Sequence, residues 1–290
     1  IRKLLASVGE DGKAKIRRSQ VYQFHALISS VWKKKSVIIA GDAAHLSPPF
    51  AGQGMNSGIR DVGNLGWKLA LVIKKPKSKD ILETYYLERK EHCWALINLA
   101  IRMGKIMMPK SRLGSFFNAS FFRLIKINTT LLSYVSQMKY RPKPKISKGI
   151  VFFHGKETRN DKKLMGALFP QPLVQDIKGT ESYLDNVLGN KFSLVCYIKH
   201  YETYISLEKC LNKLSETCKV VVLLHQSCMI FPSRHKVVRD FNNLLEKTDL
   251  RVPKNCIFLI RPDRLVSGIY NKNNLHYLSD LLNNNEIFSF

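Results

Sequence analysis

The segment from Val37 to Asn56 constrains the fold of this chain more than any other. Val37-Ile38-Ile39-Ala40 is a short unbroken apolar run, the pattern of a strand buried on both faces. It leads directly into Gly41-Asp42-Ala43-Ala44-His45. A loop of Pro48-Pro49-Phe50-Ala51-Gly52-Gln53-Gly54-Met55-Asn56 follows, and then a helical pattern begins. Small residues after a strand let a ligand approach the backbone. An aspartate at the carboxyl end of a parallel strand stands where α/β sheets bind ligands, and it can accept hydrogen bonds from sugar-like hydroxyls. Gly52 and Gly54 can take positive φ and expose their amides. Those amides lie at a helix N-terminus, where the dipole favours negative charge. An anionic ring held there needs no charged side chain.

The rest of the chain divides in two. Residues 16–25 alternate in the manner of an extended segment, with Tyr22 and Phe24 on one face and Val21 and Gln23 on the other. Ile59, Val62, Leu65, Leu69 and Val72 recur at spacings of three and four, which predicts a helix from Met55 to about Ile73 that Pro76 closes. A second helix is expected from Ser78 or Asp80 to Met108, and a third from Ser111 to Gln137 carrying Phe116, Phe117, Phe121, Phe122, Leu124 and Leu131 as ordinary core. Residues 140–148, with two prolines and four charges, read as a linker. Beyond it the strand-like runs Phe192–Ile198, Val220–Leu224, Cys256–Ile260 and Leu265–Tyr270 alternate with helical patterns near 205–217, 233–247 and 273–284. That order predicts a small α/β unit with a mixed sheet.

The net charge of +25 is concentrated, with eleven Lys/Arg and no Asp or Glu between residues 101 and 150. A basic stretch with a Phe-rich helix raises the reading of a membrane-surface or nucleic-acid binder. No zinc-finger spacing, basic heptad region or RNP-like aromatic motif supports it, so a solvated basic face is the preferred reading. The six cysteines, at 93, 196, 210, 218, 228 and 256, include no Cys-x-x-Cys pair. Reduced core thiols are expected, Cys196 and Cys228 among them, with no metal site. No apolar run is long enough for a transmembrane helix.

Gly-Asp-Ala-Ala-His, Pro-Pro and Gly-x-Gly-Met-Asn, continued by Ser57-Gly58-Ile59-Arg60-Asp61, Asn64-Leu65 and Trp67-Lys68-Leu69-Ala70, resemble the second FAD-binding motif of the para-hydroxybenzoate hydroxylase family. Arg102-Met103-Gly104, Leu168-Phe169-Pro170-Gln171-Pro172 and Arg261-Pro262-Asp263 are similar to the 3-hydroxyphenylpropionate hydroxylases within it.

The resemblance implies an α/β fold. It is the C-terminal remnant of a FAD-binding domain (a glutathione-reductase-like Rossmann variant with long helices), followed by a thioredoxin-like α/β domain whose lack of Cys-x-x-Cys is usual for such tails. The boundaries are then 1–138, a linker over 139–150, and 151–290. It implies FAD as cofactor, NADH or NADPH as reductant, and hydroxylation of a phenolic aromatic acid by O2 through a flavin hydroperoxide, in a cytoplasmic enzyme of aromatic catabolism. The tail would cover the core or make homo-oligomer contacts, with no nucleic-acid or membrane partner. Asp42 matches the aspartate that bonds the ribityl chain, and Pro49 a proline whose carbonyl lies near the reactive edge of the flavin. Gly54, Met55 and Asn56 match the backbone at the pyrimidine edge, with Gly41, Gly52 and Gln53 completing the cofactor-binding set. His45 invites a reading as a base, but a histidine packed beneath the loop is the plainer one. Tyr22 and His25 line the substrate cavity or pack in a sheet. The Gly-x-Gly-x-x-Gly unit that holds the ADP part of FAD is not found in the sequence, nor is the middle Asp-Gly motif. The expectation is a fragment inactive alone, with a non-catalytic binding or interaction module as the alternative.

Overall fold

A computed structural model describes residues 6, 9, 17, 18, 20–248, 252–285, 287 and 288. The first half opens with two small antiparallel pairs. Strand β1 (Leu27–Ile28) pairs with β4 (His45–Leu46), and β2 (Lys33–Lys34) pairs with β3 (Val37–Ile38). Tight turns at Gly41–Ala43 and Pro49–Ala51 precede helix α1 (Gly54–Lys74). A turn over Pro76–Leu82 leads to α2 (Glu83–Met107), and α3 (Arg112–Ile127) and α4 (Thr129–Ser136) follow.

Five expectations fail here. The apolar run at 37–40 is not a strand buried on both faces: β3 holds two residues, pairs only with β2, and leaves Val37 67% exposed. Among the described residues no parallel strand lies beside it, so Asp42 does not end a parallel strand. Residues 21–26 are irregular, and Val21, Tyr22, Gln23, Phe24 and His25 are all exposed, so Tyr22 and His25 do not pack in a sheet; Ile16 and Ser19 lie outside the described residues. The third helix is two, because the Asn128 side chain accepts from the amides of Thr130 and Leu131 and so starts a new helix. Its phenylalanines are not core: of α3 and α4 only Ile125 is buried.

The second half carries α5 (Arg159–Leu164), β5 (Leu173–Asp176), β6 (Glu181–Tyr183), α6 (Leu184–Leu188), β7 (Ser193–Ile198), α7 (Tyr201–Leu214) and β8 (Lys219–Leu224). After them come β9 (Lys236–Asp240), α8 (Leu244–Lys247), β10 (Cys256–Ile260), β11 (Val266–Tyr270) and α9 (Leu275–Asn284). One seven-stranded sheet runs in the order β11-β10-β7-β8-β9-β5-β6, with β7, β8 and β9 parallel and the other neighbours antiparallel. The helical reading of 233–247 is corrected. Val237 and Val238 are β-branched, fall on opposite faces of the sheet and are both buried there, which favours a strand. Asp240 then ends β9 by accepting from the amides of Leu244 and Leu245.

The sheet is covered on both faces. Leu194, Cys196 and Ile198 of β7 meet Leu207 and Leu211 of α7 and Leu278 of α9, while Val195 and Tyr197 meet Leu164, Leu184 and Leu245 behind. The six cysteines are free, and Cys196 and Cys228 are buried as expected. The first of these cores continues into the first half through Trp32, Leu65, Leu71, Tyr85 and Cys93. Trp67 of α1 meets the Phe192 ring edge-on at 5.4 Å. The segment at 140–148 is no loose tether: Ile146 is buried, and Lys145 bridges to Ala167. No helix among the described residues is long and apolar enough to cross a membrane.

Candidate functional site

The loop between β3 and α1 is built around two glycines. Gly41 has φ of +57°, and a Cβ on Gly58 would stand 3.5 Å from the Gly41 Cα, so this turn packs directly on α1. Pro48 is buried and Pro49 is exposed at the start of its turn. Gly52 ends that turn in the left-handed region, with φ of 59° and ψ of 32°. The Gln53 side-chain amide is turned back on the carbonyls of Ala51 and Gly52, at 3.4 and 3.3 Å, instead of capping the helix. The first turn of α1 therefore has no side-chain cap and no acidic residue, and its leading amides keep their donor capacity. A Cβ at Gly52 or Gly54 would meet nothing within 4 Å, which marks open space in front of those amides. Asp42 is exposed and makes no hydrogen bond among the described residues. The loop thus combines a free carboxylate, a glycine-lined opening and an uncapped helix N-terminus. These residues suit a ligand with hydroxyls at one end and an electron-rich edge at the other.

Beneath the loop lies a buried charged network. Asp61 of α1 is fully buried. Its Oδ2 accepts from the Gly41 amide at 3.0 Å and bonds His45 Nε2 at 2.7 Å, and its Oδ1 accepts from Arg89 Nε at 2.9 Å. Arg89, on α2, also donates to Ser57 at 3.4 Å, while Ser57 Oγ meets Cys93 Sγ at 3.3 Å. Burial alone would lower the His45 pKa; Asp61 and, beside it, Cys93 outweigh it and raise the imidazole to about 9. For Asp61, burial is opposed by His45 and Arg89, which together hold its carboxyl below the usual range. His45 is thus a charged partner that pins the loop, not a free base. His45, Asp61 and Cys93 also have the spacing of a metal-ligand cluster. Here the Asp61 carboxylate is shared among His45, Arg89 and the Gly41 amide.

A second network joins the halves. Glu88 of α2 accepts from Arg261 at 2.9 and 2.8 Å, Lys68 at 2.8 Å, Asn64 at 2.6 Å and the Ile150 amide at 2.9 Å. Arg261, at the end of β10, is fully buried, is gripped by Asp263 at 2.9 and 2.7 Å, and lies over the Trp67 ring at 5.2 Å. Gly149, at φ of +87°, leaves room for this cluster, since a Cβ there would sit 2.5 Å from Glu88 atoms.

Of the residues expected at a site, Gly41, Asp42, Pro49, Gly52, Gln53, Gly54, Met55 and Asn56 occupy one continuous loop and helix start. Tyr22 and His25 are exposed on the irregular segment before β1, where Phe24 touches Phe50 of the loop edge-on at 6.2 Å. Sequence reasoning did not single out Glu88, Arg89 and Arg261 as network members. The usable signal was charge on the buried face of a helix: Tyr85, Glu88, Arg89, His92 and Leu96 follow three- and four-residue spacing.

The profile of the FAD binding domain matches residues 1–100, and that of the HcaD C-terminal domain matches residues 166–285. A 3-(3-hydroxy-phenyl)propionate/3-hydroxycinnamic acid hydroxylase of Mycolicibacterium vanbaalenii is 32% identical over 257 residues, covering 87% of this chain and 45% of the relative. One from Burkholderia cenocepacia is 37% identical over 196 residues, covering 67% of this chain and 35% of the relative. The chain therefore spans less than half the length of these curated relatives. Among solved structures, aklavinone-11 hydroxylase in complex with FAD and aklavinone superposes with a TM-score of 0.64 at 16% identity, over 100% of this chain and 51% of that one. The flavin-dependent monooxygenase PieE gives 0.58 at 18% identity, over 91% and 50%. The fold, the two profile matches and these relatives place the chain in the FAD-binding monooxygenase family.

Proposed function

We propose that this chain forms the ring-side half of the FAD site of an aromatic-ring monooxygenase. The observation that carries this reading is the uncapped N-terminus of the 21-residue helix α1 beside Asp42, which has no hydrogen-bond partner among the described residues, with glycine-lined open space in front. Asp42 would accept hydrogen bonds from the ribityl hydroxyls. The amides of Gly54, Met55 and Asn56 would face the pyrimidine edge, where the helix dipole stabilises negative charge. The Pro49 carbonyl would lie near the reactive edge. Gly41 and Gln53 shape the loop, and the His45–Asp61–Arg89 network fixes it to α1 and α2. When bound, FAD supplies the oxygen activation, with NADH or NADPH as electron source. The protein's own contribution is position, a polarised amide row and shelter from water.

A small phenolic acid is the favoured substrate, supported by the names of the relatives. Tyr22 and His25 are the substrate-side candidates of the resemblance. We further infer a division into 1–138, a connector over 139–150 and a thioredoxin-like unit over 151–290. Support comes from parallel β7 and β8 joined through α7, and from the antiparallel β10–β11 pair on the other edge followed by α9. The ADP side of the cofactor requires a Gly-x-Gly-x-x-Gly unit from polypeptide beyond these 290 residues. Accordingly, the 290-residue chain alone is expected to show no NADH-dependent oxygen uptake with 3-(3-hydroxyphenyl)propionate. The same residues within a polypeptide that includes such a unit should show uptake that depends on the phenol. Phenol-independent or absent uptake in the longer polypeptide would contradict the reading.

A further inference from the structure

A cleft of about 230 Å³ opens where α1 meets the connector and the C-terminal sheet. Ile59, Ile146, Leu168 and Leu265 give it apolar walls, and the charged groups at its lining are Arg60, Arg89, Lys145 and Asp263. Three of these four are already engaged. Arg89 is paired with Asp61 at 2.9 Å, Asp263 with Arg261 at 2.7 Å, and Lys145 donates to the Lys162 carbonyl at 2.5 Å. Arg60 is different: its Nη1 is buried and has no hydrogen-bond partner among the described residues. A guanidinium N–H withdrawn from water without an acceptor is costly. Burial, and next the neighbouring Arg89, push the Arg60 pKa down.

We propose that this cleft binds a small organic carboxylate, with its carboxylate on Arg60 and its apolar body against Ile59, Ile146, Leu168 and Leu265. The volume lies below the range of roughly 300–1,000 Å³ usual for drug-sized ligands, which limits the guest to a single ring or a short chain. Inorganic phosphate would satisfy Arg60 but leave the apolar walls unfilled. None of Gly41, Asp42, Pro49 or Gly52–Asn56 lines the cleft, so the site is separate from the flavin loop and stands whether or not that loop binds flavin.

Isothermal calorimetry on the 290-residue chain tests this with benzoate, benzamide and inorganic phosphate. Benzoate should bind saturably at one molecule per chain. Benzamide has the same shape without the charge, and it should bind at least about tenfold more weakly, as should phosphate. Arg60→Gln should weaken benzoate by about tenfold or more, and Arg60→Lys should recover part of the loss. Gly63 lines the cleft and a Cβ there meets nothing within 4 Å, so Gly63→Met fills the space on a helix that tolerates methionine. It should abolish benzoate binding with Arg60 intact. The proposal is overturned if benzoate does not bind, if benzamide or phosphate binds as tightly, or if benzoate is indifferent to either Arg60→Gln or Gly63→Met.

Discussion

Glu88→Gln is expected to lower the stability of the chain by about 3–5 kcal/mol, read as a fall in the urea midpoint at unchanged slope. Glu88 is the anion on which Arg261 and Lys68 converge, and all three are buried. Glutamine keeps the shape but leaves Lys68 without its carboxylate partner and Arg261 with Asp263 alone. The loss is large because the charges cannot be rehydrated without parting α2 from β10. A pH signature accompanies it. Burial alone would raise the Glu88 pKa, but the Arg261 guanidinium and then Lys68 outweigh burial and bring it down to about 2, from an ordinary value of 4.5. A depressed carboxyl contributes stability that is complete above the unfolded value and is lost as pH falls from 4.5 to about 2. That window is worth about 3 kcal/mol in the native chain and should be absent in Glu88→Gln. A variant within about 0.5 kcal/mol of the parent would show that the cluster does not hold the halves together.

Asp61→Asn is expected to have a comparable cost, about 3–5 kcal/mol, and to act in the opposite pH range. His45 and Arg89 would be left as buried cations without their shared anion. The His45 imidazole titrates at about 9 against an ordinary 6.5. A raised histidine contributes stability that is complete below 6.5 and is lost as pH rises through about 9. Native stability should therefore fall across that alkaline range, and Asp61→Asn should flatten the fall. Urea melts at pH 6, 7.5 and 9 (roughly the two ends and middle of the window) are the direct check. An unchanged alkaline slope in the variant would mean that His45 is not paired with Asp61.

Much of the loop was legible because glycine, proline and aspartate act locally. Gly52 takes the left-handed conformation at the end of its turn, as its residue type suggests, whereas Gly54 does not take the positive φ expected of it and instead opens the helix. The runs that became β7, β8, β10 and β11 were also legible, since strands buried on both faces are apolar over most of their length. Side-chain periodicity misled elsewhere. On α1 the apolar Met55, Ile59, Val62 and Ile73 are exposed, while Asp61, Asn64 and Lys68 are buried. Burial on that face rests on ion pairs and hydrogen bonds with α2, 20 to 28 residues away, and Glu88 of α2 is held in turn by Arg261, 173 residues further along, partners that no local window can see. The same limit explains 233–247, where Val237 and Val238 are set between β8 and β5 by pairing, not by their own spacing.

The most direct test of a ring-side flavin half-site is a titration of the 290-residue chain with FAD and, separately, riboflavin, followed by flavin fluorescence. If the chain contacts only the ribityl and ring portions, the two should bind with Kd values within about threefold, since the adenosine half finds no partner. Asp42→Ala should weaken both by about tenfold, the cost of a lost charged acceptor. Absence of saturable binding by either flavin, or binding indifferent to Asp42→Ala, would contradict the assignment of Gly41–Asn56 as the site.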